Sequence, residues 1–373
     1  MKILHVLTTL DVGGAEMHVL CQVRGQVSRG HDVRIVYLKG EGTLGPDFEA
    51  AGAARIEHIA LGPRFPFRLR EHASWADLVH SHLLKADTAV AVSALALGFR
   101  KKLVSGKHND ERALLRPLVS RIHGLVGRIP ARTIVLSDHV GRFIEEHGRI
   151  PRSRQERVYY GLDPKPFEEA ARQSGVREAK RAEFGYDRGD IVFICVARFA
   201  RQKAHEVLIE AAARAHDSDA RIRLLLVGDD PFGDGRQLAE AAARSFGVMD
   251  SVVHFAGIRR DIPELMAASD VFTMASRWEG LGLVFLEAMA TGLPVLSTHV
   301  SAIPEVVVDG ETGVLVPPDD VAALVDGMLD LARDPEQRAT LGARGNSRVI
   351  ERFGIDRMVD ETLEIYRRVV SAQ

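Results

Sequence analysis

Residues 276–294 have the sequence SRWEGLGLVFLEAMATGLP, in which a glycine-bearing turn opens an apolar helix. The two glycines of the turn, Gly280 and Gly282, let the backbone approach a ligand closely. The helix predicted to begin just after them offers unpaired N–H groups and the positive end of its dipole, which together favour a phosphate. Glu279 precedes this helix and Glu287 lies more than a turn inside it. We therefore expect the two carboxylates to contact different parts of one extended ligand.

This segment resembles the signature of retaining nucleotide-sugar glycosyltransferases of family 4, which have the two-domain GT-B fold. The resemblance implies that Glu287 holds the ribose hydroxyls of a nucleotide and that Glu279 contacts the donor sugar. It also implies that the N–H groups of Gly282, Leu283 and Val284 face the diphosphate and the sugar. The alternative is an ordinary loop before a buried helix, with both acids in solvent. That alternative leaves Glu287 among apolar neighbours unexplained.

Length and composition indicate a soluble protein of two domains. A chain of 373 residues exceeds one typical core, and contents of 46% hydrophobic and 27% charged residues are ordinary. The net charge of −2 gives no overall attraction to nucleic acid, so no nucleic-acid partner is expected. Cys21 and Cys195 lie among apolar neighbours, and the N-terminus has no signal-peptide pattern. We expect reduced cysteines and a cytoplasmic location.

Basic residues are concentrated in residues 101–157, which hold three Lys and ten Arg against six acidic residues. Such a patch suggests an anionic partner, either a membrane surface or a pyrophosphate-bearing acceptor. The alternative, which the sequence slightly favours, is a solvated helical face. Within this segment, an apolar stripe between Leu114 and Ile129 is flanked by arginines. We expect that helix to dock on the first sheet, with a membrane-surface helix as the alternative.

Strands and helices alternate along the chain, which favours parallel sheets with crossover helices. The pattern restarts at a buried strand, Asp190 to Ala197, after a proline-bearing turn that begins at Gly161. The expected fold class is α/β, and the GT-B resemblance implies two Rossmann-like, doubly wound parallel-sheet domains that face a cleft. We expect an acceptor-side domain over residues 1–170 and a nucleotide-sugar-binding domain over 171–355. The last helix, 356–373, would pack back on the first domain.

Two cations follow the strand that opens the second domain. Arg198 and Lys203 lie five residues apart in the loop after this strand, where a planar guanidinium and a mobile ammonium can bind neighbouring phosphates. In family 4 enzymes an arginine and a lysine of this loop neutralise the diphosphate leaving group. The resemblance therefore implies that both residues stabilise the transition state. Ala204 stands where the family usually has glycine, and the alternative is a basic surface loop.

Three further positions resemble the family's donor site. Gly228 follows the strand Arg221 to Val227, at the carboxyl end where ligands bind in open sheets. Ile258 belongs to a loop that the resemblance places near the nucleotide base, mainly through backbone contacts. The base is not identified by them, and we expect UDP because it is the commoner donor nucleotide in the family. Gly14, after the first strand, would lie near the donor phosphate. A dehydrogenase interpretation fails there, because the full Gly-x-Gly-x-x-Gly pattern is missing.

His108 follows a predicted strand and a turn at Gly106. Family 4 enzymes have a histidine at this position that faces the donor sugar, so the resemblance implies that His108 is a sugar-binding and catalytic residue. An ordinary core or loop histidine is the alternative. His80 and His82 have strand spacing, but two histidines without a nearby carboxylate or thiol make a poor metal site. No metal or other cofactor is expected.

The sequence therefore predicts a retaining glycosyltransferase that moves a sugar from a nucleotide diphosphate, expected to be UDP, to a hydroxyl of a glycan, lipid-linked or small-molecule acceptor. The alternatives are a GT-B epimerase, a glycoside phosphorylase, or a non-catalytic nucleotide-sugar-binding protein. The expected location is cytoplasmic. The sequence leaves open whether residues 101–157 contact the inner face of an anionic membrane. The residues expected to take part in catalysis are His108, Glu279, Arg198 and Lys203.

Overall fold

The computed structural model describes residues 1–230, 233 and 235–372. The chain divides into two compact units. Unit 1 contains Met1–Gly161 and Phe353–Gln373, and unit 2 contains Leu162–Arg352. Each unit has one sheet in which all the neighbouring strands run parallel.

Unit 1 is a seven-stranded sheet with helices on both faces. Its strands are β1 (Lys2–Leu7), β2 (Asp32–Tyr37), β3 (Arg55–His58), β4 (Leu78–His82), β5 (Leu103–Lys107), β6 (Arg132–Val135) and β7 (Gln155–Arg157). Its helices are α1 (Gly14–Ser28), α2 (Gly45–Ala50), α3 (Phe65–Trp75), α4 (Leu84–Leu97), α5 (Pro117–Val126), α6 (Asp138–Glu146) and, last in the chain, α16 (Ile355–Ser371). The strand order is β3-β2-β1-β4-β5-β6-β7, so the winding reverses between β1 and β4.

The central strands of unit 1 are buried on both faces, although β1 contains one histidine and β4 contains two histidines and a serine. One face of the sheet packs against α1 and α16 through an apolar cluster that includes Val19, Val359 and Leu363. The other face packs against α3 and α4 through a second cluster, which includes Leu69 and Val90.

Unit 2 repeats this architecture with six strands. They are β8 (Ile191–Val196), β9 (Ile222–Val227), β10 (Val253–Gly257), β11 (Val271–Met274), β12 (Val295–Thr298) and β13 (Gly313–Val316). The helices are α7 (Lys165–Arg172), α8 (Val176–Glu183), α9 (His205–Ser218), α10 (Gly235–Ser245), α11 (Ile262–Ala268), α12 (Leu283–Thr291), α13 (Ile303–Val306), α14 (Val321–Arg333) and α15 (Pro335–Arg352). The order β10-β9-β8-β11-β12-β13 places the switch point between β8 and β11.

The division between the units differs from the expected boundaries of 170/171 and 355. Residues 162–170 belong to unit 2 because α7 packs against α11 and α12. Residues 353–355 belong to unit 1, where the Phe353 ring lies 5.3 Å from the Tyr159 ring. The terminal helix α16 packs against α1. Of the range 356–373 expected for that helix, Gln373 lies outside the described residues.

The expected docking of the apolar stripe in the basic segment is only partly correct. Leu114 is buried, and Val126 and Ile129 pack against the core of unit 1, but the middle of the stripe on α5 does not dock. Leu118, Ile122 and Leu125 remain 68%, 51% and 76% exposed. The buried residues of this helix are instead Ser120, His123 and Gly124. Among the described residues, no helix combines the length and the apolar content that a bilayer crossing requires.

Candidate active site

The N-terminus of α12 is built by Gly282. Its φ of 82° lies in the left-handed region, which favours glycine. A Cβ atom at this position would also lie 2.6 Å from the ring of Phe285. The Phe285 N–H donates to the Gly282 carbonyl at 3.1 Å, while Leu283 and Val284 form the first turn of the helix. The first N–H groups of a helix have no partner within it, so this turn is suited to an anion.

Glu279 lies in the loop just before α12 and is buried. Its carboxylate accepts hydrogen bonds from the Lys203 ammonium and, at 3.1 Å, from the Ser276 hydroxyl. The Lys203 Nζ atom also lies 3.8 Å from the Met274 sulfur. The predicted lysine and carboxylate therefore lie in direct contact, which the sequence spacing did not show.

The loops that carry these two residues follow β8 and β11, which are adjacent in the sheet. The Gln202 side chain donates to the Trp278 carbonyl at 2.7 Å, and the Arg277 N–H donates to the Gln202 carbonyl at 2.8 Å. The Arg277 guanidinium donates to the Arg201 carbonyl, also at 2.8 Å. These hydrogen bonds, between the residues that directly precede Lys203 and Glu279, hold the two loops together.

Ala204 ends the first of these loops with a φ of 49° and a ψ of 47°. This left-handed conformation costs a non-glycine residue roughly 1–2 kcal/mol. Ala204 is fully buried and immediately precedes α9. The left-handed backbone gives a physical reason for the family's usual glycine at this position. In this chain the backbone keeps the left-handed conformation although Ala204 carries a methyl group.

Gly228 lies where the ends of three strands are joined. Its N–H donates to the Gly257 carbonyl at 2.9 Å, and its φ is 156°. A Cβ atom there would lie 2.0 Å from the Ala197 carbonyl oxygen, so only glycine fits. Arg198, the next residue after Ala197, is exposed. Ile258, after β10, is also exposed.

Glu287 lies within α12 and keeps part of its side chain exposed. Burial of its carboxyl group raises its pKa to about 7, from an ordinary value of 4.5. The group therefore changes its charge near neutral pH, unlike an ordinary surface glutamate. The buried residues around it on the same helix are apolar: Phe285, Leu286, Ala288, Met289 and Ala290.

Gly14 is the first residue of α1 in unit 1. A Cβ atom at Gly14 would meet no heavy atom within 4 Å. At Gly13, in contrast, a Cβ atom would lie 2.4 Å from the Glu16 carboxylate, which accepts a 2.6 Å hydrogen bond from the Thr9 hydroxyl. The Glu16 carboxylate therefore occupies the space beside Gly13, whereas the space beside Gly14 is open.

His108 directly follows β5 and is buried. Its Nε2 atom lies 2.9 Å from Nδ1 of His82, and its Nδ1 atom lies 2.9 Å from the Tyr160 hydroxyl. Burial, and next the nearby Lys107 ammonium, lower its pKa to about 3. His108 is therefore neutral at physiological pH, and both ring nitrogens are hydrogen-bonded within unit 1.

Four other buried histidines surround His108 in unit 1: His5, His18, His80 and His82. Burial is the largest cause that lowers the pKa of each. Ring nitrogens of His5, His80 and His82 lie within 4.8 Å of one another, which is a spacing that a metal ion can use. However, His5 Nδ1 and His82 Nε2 are already hydrogen-bonded to each other at 2.9 Å. Sequence reasoning considered His80 and His82 but missed His5, which faces His80 from the adjacent strand.

Known protein families match residues in both units. A family described as Glycosyltransferase Family 4 matches residues 12–165, and one described as Glycosyl transferases group 1 matches residues 190–334. The chain belongs to glycosyltransferase family 4. It is 28% identical to an N-acetyl-alpha-D-glucosaminyl L-malate synthase of Bacillus anthracis, over 87% of this chain and 80% of that protein. It is 29% identical to a D-inositol 3-phosphate glycosyltransferase of Nocardiopsis dassonvillei, over 96% of this chain and 90% of that protein.

Solved structures confirm that this family 4 glycosyltransferase has the GT-B fold. An Anabaena protein, Alr3699/HepE, in complex with UDP and glucose, aligns with a TM-score of 0.89 at 22% identity, covering 99% of this chain and all of that one. The sucrose-phosphate synthase of Thermosynechococcus elongatus aligns with a TM-score of 0.81 at 21% identity and covers both chains fully. The expected α/β architecture of two Rossmann-like domains is thereby confirmed.

The residues expected to form the site of this family 4 glycosyltransferase are divided between the units. Gly14 and His108 belong to unit 1, and the other nine belong to unit 2. In unit 2, the structure brings Lys203 against Glu279 and places Gly282 three residues further, at the start of α12. The remaining residues lie on the loops after β8, β9 and β10 or within α12: Arg198, Gly228, Ile258, Leu283, Val284 and Glu287.

Proposed function

We propose that this protein is a retaining glycosyltransferase that moves a sugar from a nucleotide diphosphate, with UDP as the expected nucleotide, to a hydroxyl of a glycan, lipid-linked or small-molecule acceptor. The observation that carries the proposal is the pairing of Lys203 with Glu279 beside the glycine turn that opens α12. An ammonium and a helix N-terminus suit an anionic leaving group, and a carboxylate suits a sugar hydroxyl. The three Anabaena HepE structures, described as complexes with UDP, with UDP and glucose, and with UDP-glucose, support a UDP-sugar in the donor role.

In this proposal the diphosphate binds against the N–H groups of Gly282, Leu283 and Val284. Arg198 and Lys203 supply the opposing positive charge, one through a planar guanidinium and the other through an ammonium. Because charge builds on the diphosphate as its bond to the sugar breaks, both cations stabilise the transition state more than the ground state. We propose that transfer needs no metal ion, since these groups already neutralise the leaving group.

The remaining donor contacts follow from this placement of the diphosphate at the start of α12. Glu287 holds the ribose hydroxyls from within α12, while the backbone near Gly228 and Ile258 lies close to the nucleotide. Glu279 positions the donor sugar. Two contacts already fix the Glu279 carboxylate, from the Lys203 ammonium and a neighbouring hydroxyl, which suits a positioning role better than that of a covalent nucleophile. In unit 1, the open space at Gly14 leaves room for a phosphate to approach the backbone.

Retention requires that the acceptor replace the diphosphate on the same face of the sugar. The bond between the anomeric carbon and the diphosphate oxygen breaks, and the acceptor oxygen forms its bond to that carbon from the same side. The acceptor proton passes to an oxygen of the leaving diphosphate. No protein nucleophile takes part, and the products are the glycosylated acceptor and the nucleoside diphosphate.

The decisive experiment has two stages. A panel of UDP-, GDP- and ADP-sugars is first tested for a rise in the melting temperature of the protein, and a UDP-sugar is expected to give the largest rise. That donor is then incubated with candidate acceptors, in buffer containing EDTA, and the anomeric configuration of the product is determined by proton NMR. A retained configuration is expected, whereas an inverted one contradicts the mechanism and a requirement for divalent metal contradicts the metal-free proposal.

The same experiment separates the alternative functions. An epimerase changes or releases the sugar without an acceptor, and a phosphorylase needs inorganic phosphate for turnover. A non-catalytic binding protein gives the thermal shift but no product with any acceptor. Failure of every nucleotide sugar and of UDP itself to bind would remove the basis for the transferase, the nucleotide-sugar epimerase and the binding protein, and would leave only the phosphorylase.

We also propose that unit 1 contacts an anionic membrane surface through α5 and its surroundings. Leu118, Ile122 and Leu125 are exposed on α5, which buries polar and small residues instead. Exposed apolar side chains flanked by arginines are typical of helices that lie in the lipid headgroup region. Next to Leu125, a surface cavity of about 500 Å³ is lined by six basic and six apolar residues, with one acid, Glu156. Its basic residues are Arg100, Lys101, Arg128, Arg132, Arg154 and Arg368.

A further inference from the structure

A continuous line of hydrogen bonds runs through the histidine cluster of unit 1. It connects the Tyr160 hydroxyl to His108 Nδ1, His108 Nε2 to His82 Nδ1, His82 Nε2 to His5 Nδ1, and His5 Nε2 to the Gln26 side-chain oxygen. Each of these four contacts measures 2.9 Å. All five side chains are buried. The line therefore joins the end of β5 to α1 with no solvent-exposed member.

The line continues from α1 to the C-terminal helix. The Gln26 amide nitrogen donates to the Gln22 side-chain oxygen at 3.4 Å, and the Gln22 amide nitrogen donates to the Thr362 hydroxyl oxygen at 2.8 Å. The Thr362 hydroxyl donates in turn to the Met358 carbonyl at 2.8 Å. A backbone carbonyl only accepts hydrogen bonds, so this end of the line fixes the direction of every donor before it.

This direction determines where each imidazole carries its proton. A neutral imidazole donates through one nitrogen and accepts through the other. Because Gln26 offers its oxygen to His5, the protons of His5, His82 and His108 must all lie on Nε2. Tyr160 then donates to Nδ1 of His108. The reverse arrangement would turn both glutamines and leave the Thr362 hydroxyl without a proton for the Met358 carbonyl.

The surroundings of the line favour the neutral form of all three imidazole rings. Burial lowers the pKa of His5 to about 4, and burial followed by Lys107 lowers that of His108 to about 3. Gly106 leaves room for the rings, because a Cβ atom there would lie 2.9–3.0 Å from nitrogens of His80, His82 and His108. Other ionisable groups near the line are His18, Glu16 and Tyr366.

We propose that His82, His5 and Gln26 are positioning residues that set the proton position on His108, with its Nε2–H turned inward and its Nδ1 presented as a hydrogen-bond acceptor. The inference rests on the proposed function together with the family resemblance, which implies that His108 contacts the donor sugar. A sugar hydroxyl replaces the Tyr160 hydroxyl as the donor to Nδ1, and His108 supplies no proton to the reaction. Thr362 and Met358 of α16 form the last hydrogen bond of the line. The packing of α16 on unit 1 therefore has a direct role in setting the proton position on His108.

The proton positions can be measured without any substrate. The full chain is labelled with ¹⁵N at histidine, and long-range ¹H–¹⁵N correlation spectra at pH 7.5 identify which ring nitrogen of each histidine is protonated. Single substitutions assign the signals. We expect His5, His82 and His108 to be neutral and protonated at Nε2. A charged ring, or a proton on Nδ1 of any of the three, overturns the inference.

Variants then test whether the line acts on His108. His82→Leu removes one acceptor and one donor, so we expect His108 to lose its preference for Nε2–H. We expect kcat to fall about fivefold, as for one lost neutral hydrogen bond, while KM for the donor changes little. His82→Gln offers an oxygen to His108 and an N–H to His5, and should preserve both readouts. Gln26→Met breaks the line further away and serves as a second test if His82→Leu folds poorly.

His72→Leu is the matched control. His72 is likewise a buried histidine of unit 1, but it lies on α3 and bonds to the Glu57 carboxylate at 3.1 Å and not to the line. Its replacement should leave the His108 signals unchanged. If His82→Leu and Gln26→Met leave them unchanged too, the positioning role is wrong. Correct proton positions in a protein that transfers no sugar would contradict the proposed function instead.

Discussion

The Lys203 ammonium is hydrogen-bonded to the buried Glu279 carboxylate, and the two residues extend from loops that follow adjacent parallel strands. A carboxylate buried as deeply as that of Glu279 is stabilised by pairing with a cation. The pair therefore links the group expected to bind diphosphate to the group expected to position sugar. A substitution of either residue should therefore affect both the binding of the diphosphate and the positioning of the sugar.

The first prediction concerns this ion pair. Glu279→Gln keeps the shape of the side chain but removes its charge, and we expect kcat/KM to fall about 10- to 100-fold because a hydrogen bond to a charged group is lost. Lys203→Met should also weaken UDP binding, measured by calorimetry. The double variant should lose less than the two single losses combined, since the residues are in contact.

The matched control for this pair is Glu210→Gln, which changes an acid on α9 that pairs with Arg214 outside the loops. It should leave turnover and UDP binding unchanged. Undiminished transfer by Glu279→Gln would exclude its positioning role, and strictly additive losses would show that the ion pair does not couple the two sites.

The second prediction concerns pH. The pKa of Glu287 is raised to about 7, so its carboxyl is mostly protonated at pH 6 and mostly ionised at pH 8. Ribose hydroxyls donate to an ionised carboxylate, and we expect the Kd for UDP to fall about tenfold from pH 6 to pH 8. Without nucleotide the sign is opposite for folding: stability contributed by the protonated group is lost as pH rises through 7.

Calorimetry with wild type and Glu287→Gln separates this effect from the titration of the nucleotide phosphates, which is common to both proteins. The variant should bind UDP with a much flatter pH dependence. If wild type and variant show the same pH dependence, Glu287 does not contact the ribose.

The fold and the donor loops were predictable because each has a local signal. Long apolar strands such as β8 need no tertiary information, and the glycines at 228 and 282 lie where the backbone itself demands them. The edge strands β3, β7 and β13 were not predicted. They are three or four residues long, and β3 and β7 are largely polar, so they have little apolar pattern to detect.

The contacts between distant residues were beyond the reach of the sequence. The Lys203–Glu279 pair joins residues 76 positions apart, and the line through His108 joins β1, β4, β5, α1 and α16. His5 on β1 and His80 and His82 on β4 form a cluster only once strand order and register are known. The exposed apolar face of α5 was also missed, because an apolar stripe at helical spacing does not show which face is buried.

The third prediction concerns stability in acid. Burial lowers the pKa of His5, His18, His80, His82 and His108 below the unfolded value of 6.5, so unfolding takes up protons below that pH. The stability that they contribute is complete above pH 6.5 and decreases as pH falls toward 4. Each such histidine adds at most about 1.4 kcal/mol per pH unit to the slope.

Urea unfolding at pH 7.5, 6.5 and 5.5 measures this slope. His18→Phe keeps the ring that stacks 4.2 Å from Tyr160 but removes one titrating group, so its free energy of unfolding should depend less steeply on pH than that of wild type. Equal slopes would show that the pKa of His18 is the same in the folded and in the unfolded protein.

The fourth prediction separates fold from function at two glycines. Gly14→Ala adds a methyl group where no atom lies within 4 Å, at the first residue of α1, and should raise the free energy of unfolding by up to about 1 kcal/mol. If a donor phosphate approaches this backbone, the same variant should lower turnover. Gly228→Ala, in contrast, meets a carbonyl oxygen at 2.0 Å and should destabilise unit 2. Full activity of a stabilised Gly14→Ala protein would remove Gly14 from the donor site.

The last prediction concerns the exposed face of α5. If this face enters the headgroup region, the protein should co-sediment with phosphatidylglycerol vesicles and much less with phosphatidylcholine vesicles, and added salt should weaken the binding. Replacing Leu118, Ile122 and Leu125 together by Gln removes the apolar contribution without changing any charge, so binding should fall although the arginines remain. The matched control is Leu238→Gln on α10, where an equally apolar side chain is 53% exposed in unit 2. Unchanged binding by the triple variant would show that the basic residues act alone. Equal binding to both kinds of vesicle would contradict the anionic membrane as the partner of unit 1.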